Sequence, residues 1–204
     1  PFGSETVNPA YEAVKLIPDR IGGAEIIKLE LPTVFGKCDL AVEEAIEEHK
    51  PDAILSVGQA GGRFDITVER VAINIADGRI PDNEGNRPID QIIRADGENA
   101  YFATLPVKAM VQRIRKRGIP ASVSYTAGSY VCNYIMYCVL YSAAKRHPAM
   151  KGGFMHVPYM TVQGVDKPNN TPTMSLPDIA AAIEAAIEAI ALPEPDSLSD
   201  GTST

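Results

Sequence analysis

Residues 124–141, SYTAGSYVCNYIMYCVLY, run from a strand-like stretch through a glycine turn into an apolar helix. Two cysteines sit six apart in that passage, Cys132 where the helix begins and Cys138 deeper within it. Six residues advance a helix of 3.6 residues per turn by about 240°, so the two thiols face different ways. The same alternation recurs along the chain. VNPAYEAVKLI (7–17) reads as a helix with Asn8 as its cap and Pro9 in the first turn. LAVEEAIEEHK (40–50) reads as another, with Leu40, Val42, Ala45 and Ile46 as its apolar stripe. PDAILSVG (51–58) is a short apolar run closed by glycine, the pattern of a strand covered on both faces.

VERVAINIAD (68–77) alternates as a strand, and EGNRPIDQIIRADGEN (84–99) is a polar, turn-rich connection. AYFATLPVKAMVQRIRKRG (100–118) reads as helix ended by Gly118, IPASVSYTAG as strand, and GGFMHVPYM (152–160) as strand. SLPDIAAAIEAAIEAIAL (175–192) is a helix with Ser175 and Asp178 placed as a capping box. Strands alternating with helices predict an α/β protein, a three-layer α/β/α sandwich around a mostly parallel, twisted sheet. One domain over 1–192 is expected. The polar tail PEPDSLSDGTST, within 193–204, is expected to be disordered.

A net charge of −7 on 204 residues supplies no basic face, which argues against nucleic-acid or membrane partners and for a small or peptide substrate. No apolar run reaches the roughly 18 residues of a membrane span, and the first residues lack a signal-peptide pattern. Three cysteines with no metal spacing read as reduced thiols. A cytoplasmic location is expected.

Cys132 falls where a strand ends and a helix begins, the place at which ligands bind in α/β domains. Helix N–H groups and the dipole there favour a thiolate and can hold an oxyanion. Taken alone, Cys132 reads more readily as a buried small hydrophobe than as a nucleophile. A catalytic thiol needs a base, and His156, which interrupts the apolar strand GGFMHVPYM, is a better candidate than His49 or His147 at helix ends. Glu69 is a carboxylate within the apolar TVERVAINI and suits the orienting third member, or else pairs at the surface with neighbouring Arg70. VGQAGGRFD is neither a dinucleotide nor a phosphate loop; it brings backbone and Gln59 close to a ligand.

The motifs PFGSETVNP, PTVF, VGQAGGR, ERVAINIADGRIPDNEGNRP, AYFATLP, GIPASVSYTAGSYVCN and HPAMKGGFMHVPYM, in this order, resemble pyroglutamyl peptidase type I, also called pyrrolidone-carboxylate peptidase. The resemblance covers nearly all of the chain before the tail. It implies a cysteine exopeptidase that removes N-terminal pyroglutamate from peptides through a thioester, without metal or organic cofactor, in a homotetramer. It places the nucleophile on Cys132, the histidine on His156 and the acid on Glu69. Phe2, Ile80 and Tyr130 match positions that wall the pocket for the neutral lactam, and Asn8, Thr33 and Gln59 match polar positions beside it. Arg79 is a candidate for transition-state support. Two departures stand out. The family has a strand ahead of PFG that this sequence lacks, so an incomplete N-terminus is expected, the alternative being a weakened or inactive pyroglutamyl-peptide-binding relative. Tyr130 replaces an aromatic without hydroxyl, and its O–H needs a partner.

Overall fold

A computed structural model of the chain describes residues 1, 3 and 5–192. The expected tail and Phe2 lie outside the described residues. Asn8 caps α1 (Pro9–Leu16), accepting a hydrogen bond from Ala10 N–H at 3.1 Å. A small hairpin, β1 (Arg20–Ile21) with β2 (Ala24–Glu25), leads through an irregular segment to α2 (Cys38–His49) and β3 (Ala53–Gln59). Then come β4 (Ile66–Glu69), β5 (Val71–Ile73), β6 (Ala100–Phe102), α3 (Val107–Lys116), β7 (Ala121–Ser124) and α4 (Val131–Lys145). The chain closes with β8 (Lys151–Val157), β9 (Tyr159–Met160), a 3₁₀ turn over Thr161–Asp166, β10 (Thr173–Met174) and α5 (Leu176–Ala191). Ser175 caps α5 through the Asp178 N–H at 3.2 Å.

The central sheet has the strand order β3-β8-β4-β7. β3 with β8 and β4 with β7 are parallel, and the two pairs meet at an antiparallel β4–β8 seam. The predicted mostly parallel α/β sandwich is therefore what forms. α1, α3 and α5 pack together on one face, and α4 lies on the other against β3 and β8, with α2 beside it, its Ile46 clustered with Ala143 and Ile54. α4 is apolar around its whole circumference, so it is buried nearly throughout, including Met136, Tyr137 and Val139 at 0% exposure. Close approach is possible because Gly152 has no side chain: a Cβ there would lie 2.7 Å from Val139 Cγ1.

Two sequence expectations are corrected here. VERVAINIAD is not one strand. It ends its central-sheet pairing after Glu69, and beyond Arg70 the chain leaves as β5 to pair with β6. AYF, read as the start of a helix, is that partner strand, and the helix begins only at Val107, after Pro106. β5 gains its remaining hydrogen bonds from a side chain. Buried Asn133 accepts from Ile73 N–H at 2.9 Å and donates to the Ile73 and Ile75 carbonyls at 3.0 Å. An amide can satisfy a peptide edge in this way, and it fixes the first turn of α4, one residue from Cys132.

Candidate active site

Register alone explains how the carboxylate and the imidazole meet. Across the antiparallel seam Thr67 lies opposite His156 and Glu69 opposite Phe154, so Glu69 is the diagonal neighbour of His156 on the same face. Its longer side chain reaches, and His156 Nδ1 lies 2.7 Å from Glu69 Oε1. An ionised carboxylate only accepts, so the proton sits on Nδ1. His156 is 4% exposed and Glu69 0%. The alternative reading of Glu69 as a surface partner of Arg70 is excluded by that burial.

On the other side of β8, Gly58 of β3 is the register partner of His156. A Cβ on Gly58 would lie 3.0 Å from Cys132 Sγ and 2.8 Å from Phe154 Cζ. The Cys132 sulfur therefore occupies the space above Gly58, the register partner of His156, close enough to act on the ring's charge. Replacing Gly58 by alanine fills this space. Overpacking costs typically 1–3 kcal/mol, and each kcal/mol lowers Tm by about 2–4 °C in a chain of this size. Calorimetry of Gly58→Ala is expected to show a Tm lower by about 2 °C or more; an unchanged Tm would mean that neither the sulfur nor the Phe154 ring sits there.

The electrostatics follow from this packing. Burial opposes charge on His156, but the Cys132 sulfur, through its charge and hydrogen bond, and Glu69 on the other nitrogen push its pKa up from 6.5 to about 9. Burial likewise works to raise Glu69, yet the hydrogen bond and charge of His156, with nearby Ser124 and the Arg63 guanidinium, leave its pKa below the usual value. The other thiols are different. Burial pushes Cys38 up to about 12 and Cys138 higher still. Both are buried core residues, as expected for Cys138 from its helical angle.

Asn8, Thr33, Gln59 and Tyr130 line the same cleft as Cys132, a space of about 1080 Å³ along β3. Tyr130 caps α4 through its extended backbone, with no side-chain cap bond, and its hydroxyl donates to the Pro81 carbonyl at 2.9 Å. The added O–H thus has its partner. Phe35 meets the Tyr130 ring edge-on at 5.4 Å. Gln59 is held by Gln163, whose Nε2 donates to Gln59 Oε1 at 2.9 Å. Ile80 is half-buried on the loop that carries Pro81, and Arg79 beside it is exposed. Phe2 is outside the described residues, so its expected wall position has no structural counterpart here.

Arg63, Gly58, Phe154 and Gln163 are the site residues that sequence reading missed. Arg63 and Gly58 both stood within quoted motifs, but no spacing rule links Arg63 to Glu69. Arg63 Nη1 donates to Glu69 Oε1 at 2.7 Å and to Thr67 Oγ1 at 2.5 Å.

The family model described as pyroglutamyl peptidase matches residues 1–192. A pyrrolidone-carboxylate peptidase of Clostridium perfringens is 58% identical over 196 residues, covering 96% of this chain and 92% of that one. One from Streptococcus pneumoniae is 60% identical over 190 residues, 93% of this chain and 88% of the other. The crystal structure of pyroglutamyl peptidase I from Bacillus amyloliquefaciens superposes with a TM-score of 0.91 at 47% identity, covering 94% of this chain and 91% of that one. The Thermococcus litoralis pyrrolidone carboxyl peptidase gives 0.88 at 41% identity, over 93% and 89% of the two chains. The chain belongs to the pyroglutamyl peptidase family of cysteine peptidases.

Proposed function

We propose that this chain is a pyroglutamyl peptidase that removes an N-terminal pyroglutamyl residue from peptides, with Cys132 as nucleophile, His156 as acid and base, and Glu69 as its orienting anion. The observation that carries the reading is the Cys132 sulfur over Gly58, beside a buried imidazole whose far nitrogen is 2.7 Å from a buried carboxylate. Thiolate attack on the pyroglutamyl carbonyl carbon forms a tetrahedral oxyanion. Collapse breaks the C–N bond, and His156 gives its proton to the departing amine. Water, deprotonated by His156, then attacks the thioester and releases pyroglutamate and the thiolate. The uncapped N–H groups in the first turn of α4 are our candidate for the oxyanion hole, with Arg79 as a further contributor.

Pyroglutamate is a neutral lactam without a free amine, so its pocket calls for apolar walls and a few amide-matching groups, with no carboxylate to pair a cation. We assign Phe2, Ile80 and Tyr130 to the walls and Asn8, Thr33 and Gln59 to the polar contacts. One domain over 1–192 fits the continuous core. Three unbridged cysteines fit a cytoplasmic location, and no helix among the described residues is long and apolar enough to cross a membrane. Ile89, Ile92 and Phe102 are exposed large apolar groups and support self-association into a homotetramer.

The test is release of fluorophore from pyroglutamyl, prolyl and glutaminyl coumarin amides. Cleavage of the pyroglutamyl amide alone is expected. Preference for another acyl group would reassign the substrate, and calorimetric binding of a pyroglutamyl peptide without cleavage would make the chain a silent binder. Retention of all three groups at one place, with His156 bonded to Glu69 and the Cys132 sulfur over Gly58, argues against that silent role.

A further inference from the structure

Arg63 lies on the loop between β3 and β4 and reaches back to the triad. Its Nη1 donates to Glu69 Oε1 and Thr67 Oγ1, and its Nη2 donates to the Thr126 carbonyl at 3.3 Å. We infer that Arg63 is a positioning residue for the reaction, the fixed counter-charge that keeps the buried site electrically neutral through every proton transfer. This rests on the roles proposed above for Cys132, His156 and Glu69.

Charge counting gives the reason. Glu69 is fully buried, and a buried carboxylate without a compensating cation is unstable. With Arg63 present, thiol and neutral imidazole beside carboxylate and guanidinium sum to zero. Thiolate and imidazolium beside the same pair also sum to zero, as does the thioester beside neutral imidazole. Remove the guanidinium, and each of these stages carries one uncompensated negative charge. Two responses follow: Glu69 takes up a proton, or it holds the imidazolium proton too tightly to release it to the amine.

The geometry also shows division of the anion. Arg63 Nη1 and His156 Nδ1 both lie 2.7 Å from the same oxygen, Oε1, while Oε2 has no hydrogen-bond partner among the described residues. Arg63 thus draws part of the carboxylate's charge away from the ring. The groups facing this pair are Arg63 from the loop, Thr67 from β4, Ser124 from β7, Cys132 from α4 and the Phe154 ring, whose centroid is 4.7 Å from that of His156. Among them Arg63 supplies the permanent positive charge. Its planar fork also spans Thr67, Glu69 and Thr126 at once, which an ammonium cannot do.

The test is the pH profile of kcat/KM on a pyroglutamyl coumarin amide for wild type, Arg63→Gln and Arg63→Lys. Arg63→Gln keeps a donor and removes the charge; kcat is expected to fall about tenfold or more with KM within about threefold. Its alkaline limb is expected to move by about half a pH unit or more, up where the imidazolium faces an undivided anion and down where Glu69 has taken up a proton. Arg63→Lys is expected to hold the limb at the wild-type position with an intermediate kcat. If Arg63→Gln does not fold, Arg63→Met is read in its place. A folded neutral variant whose Tm falls while the limb stays put would overturn the inference, since a purely structural Arg63 behaves that way. Failure of the functional reading is distinct: the wild type itself would not turn over.

Discussion

Cys132→Ala is expected to abolish hydrolysis of the pyroglutamyl coumarin amide, by a factor on the order of 10⁵–10⁶ in kcat, the size of loss seen when a triad nucleophile is deleted elsewhere. The reason is local. Cys132 is the thiol over Gly58 beside the imidazole, whereas Cys38 and Cys138 are buried at 1% exposure and pushed toward the neutral form by that burial. Neither can substitute for it. Cys138→Ala should instead cost stability, because it removes buried volume from α4. Turnover kinetics with circular dichroism as a folding check decide the matter. A folded Cys132→Ala protein at full rate would remove the assignment.

Glu69→Gln is the second large effect. The amide removes the anion and offers an N–H₂ group that can donate to Nδ1, which leaves the ring in the wrong tautomer; the equivalent change in a serine protease costs about 10⁴-fold. A loss of roughly 10³–10⁴ in kcat/KM is expected. The profile should change shape as well. His156 must carry a proton to release the amine, so wild-type activity should hold until the pH rises through about 9 and then fall. Without Glu69 that limb should retreat toward the ordinary histidine value. Stability carries the same sign. The folded-state pKa of His156 is raised above 6.5, so its contribution is full below 6.5 and is lost as pH rises through about 9. Wild-type Tm should therefore decline over that interval more than the Tm of Glu69→Gln, and matching declines would show that Glu69 does not hold the proton.

Local signals in the sequence were sufficient for some elements and not for others. Asn8 before Pro9 and Ser175 before Asp178 announce helices α1 and α5, since a cap is a contact between near neighbours. AILSVG and GGFMHV announce strands β3 and β8 through apolar runs bounded by turns. The break at Arg70 is invisible, because VERVAINI has uninterrupted strand character and the change of partner strand is a tertiary event. AYF is only three residues long, too short to show a strand period of its own ahead of the helix. The meeting of Cys132, His156 and Glu69 depends on the order β3-β8-β4-β7, which no spacing encodes, and family resemblance supplied it. Arg63 was missed for the same reason. Its six-residue separation from Glu69 matters only because the intervening chain enters the sheet.

Pocket residues are legible to differing degrees. Asn8, Thr33, Gln59 and Tyr130 line the cleft with Cys132, while Ile80 and Arg79 stand on the neighbouring loop. That loop is tied down by Asp82, which accepts from the backbone N–H groups of Phe35, Glu84 and Asn86. Long-range ties of this kind have no periodicity to betray them.

The most direct test is alkylation of the native protein with iodoacetamide, followed by peptide mapping across a range of pH. Cys132 should be carbamidomethylated first and alone at neutral pH, with Cys38 and Cys138 protected by burial, and Glu69→Gln should slow that reaction. Slow, equal modification of all three thiols in folded protein would contradict a nucleophile at Cys132.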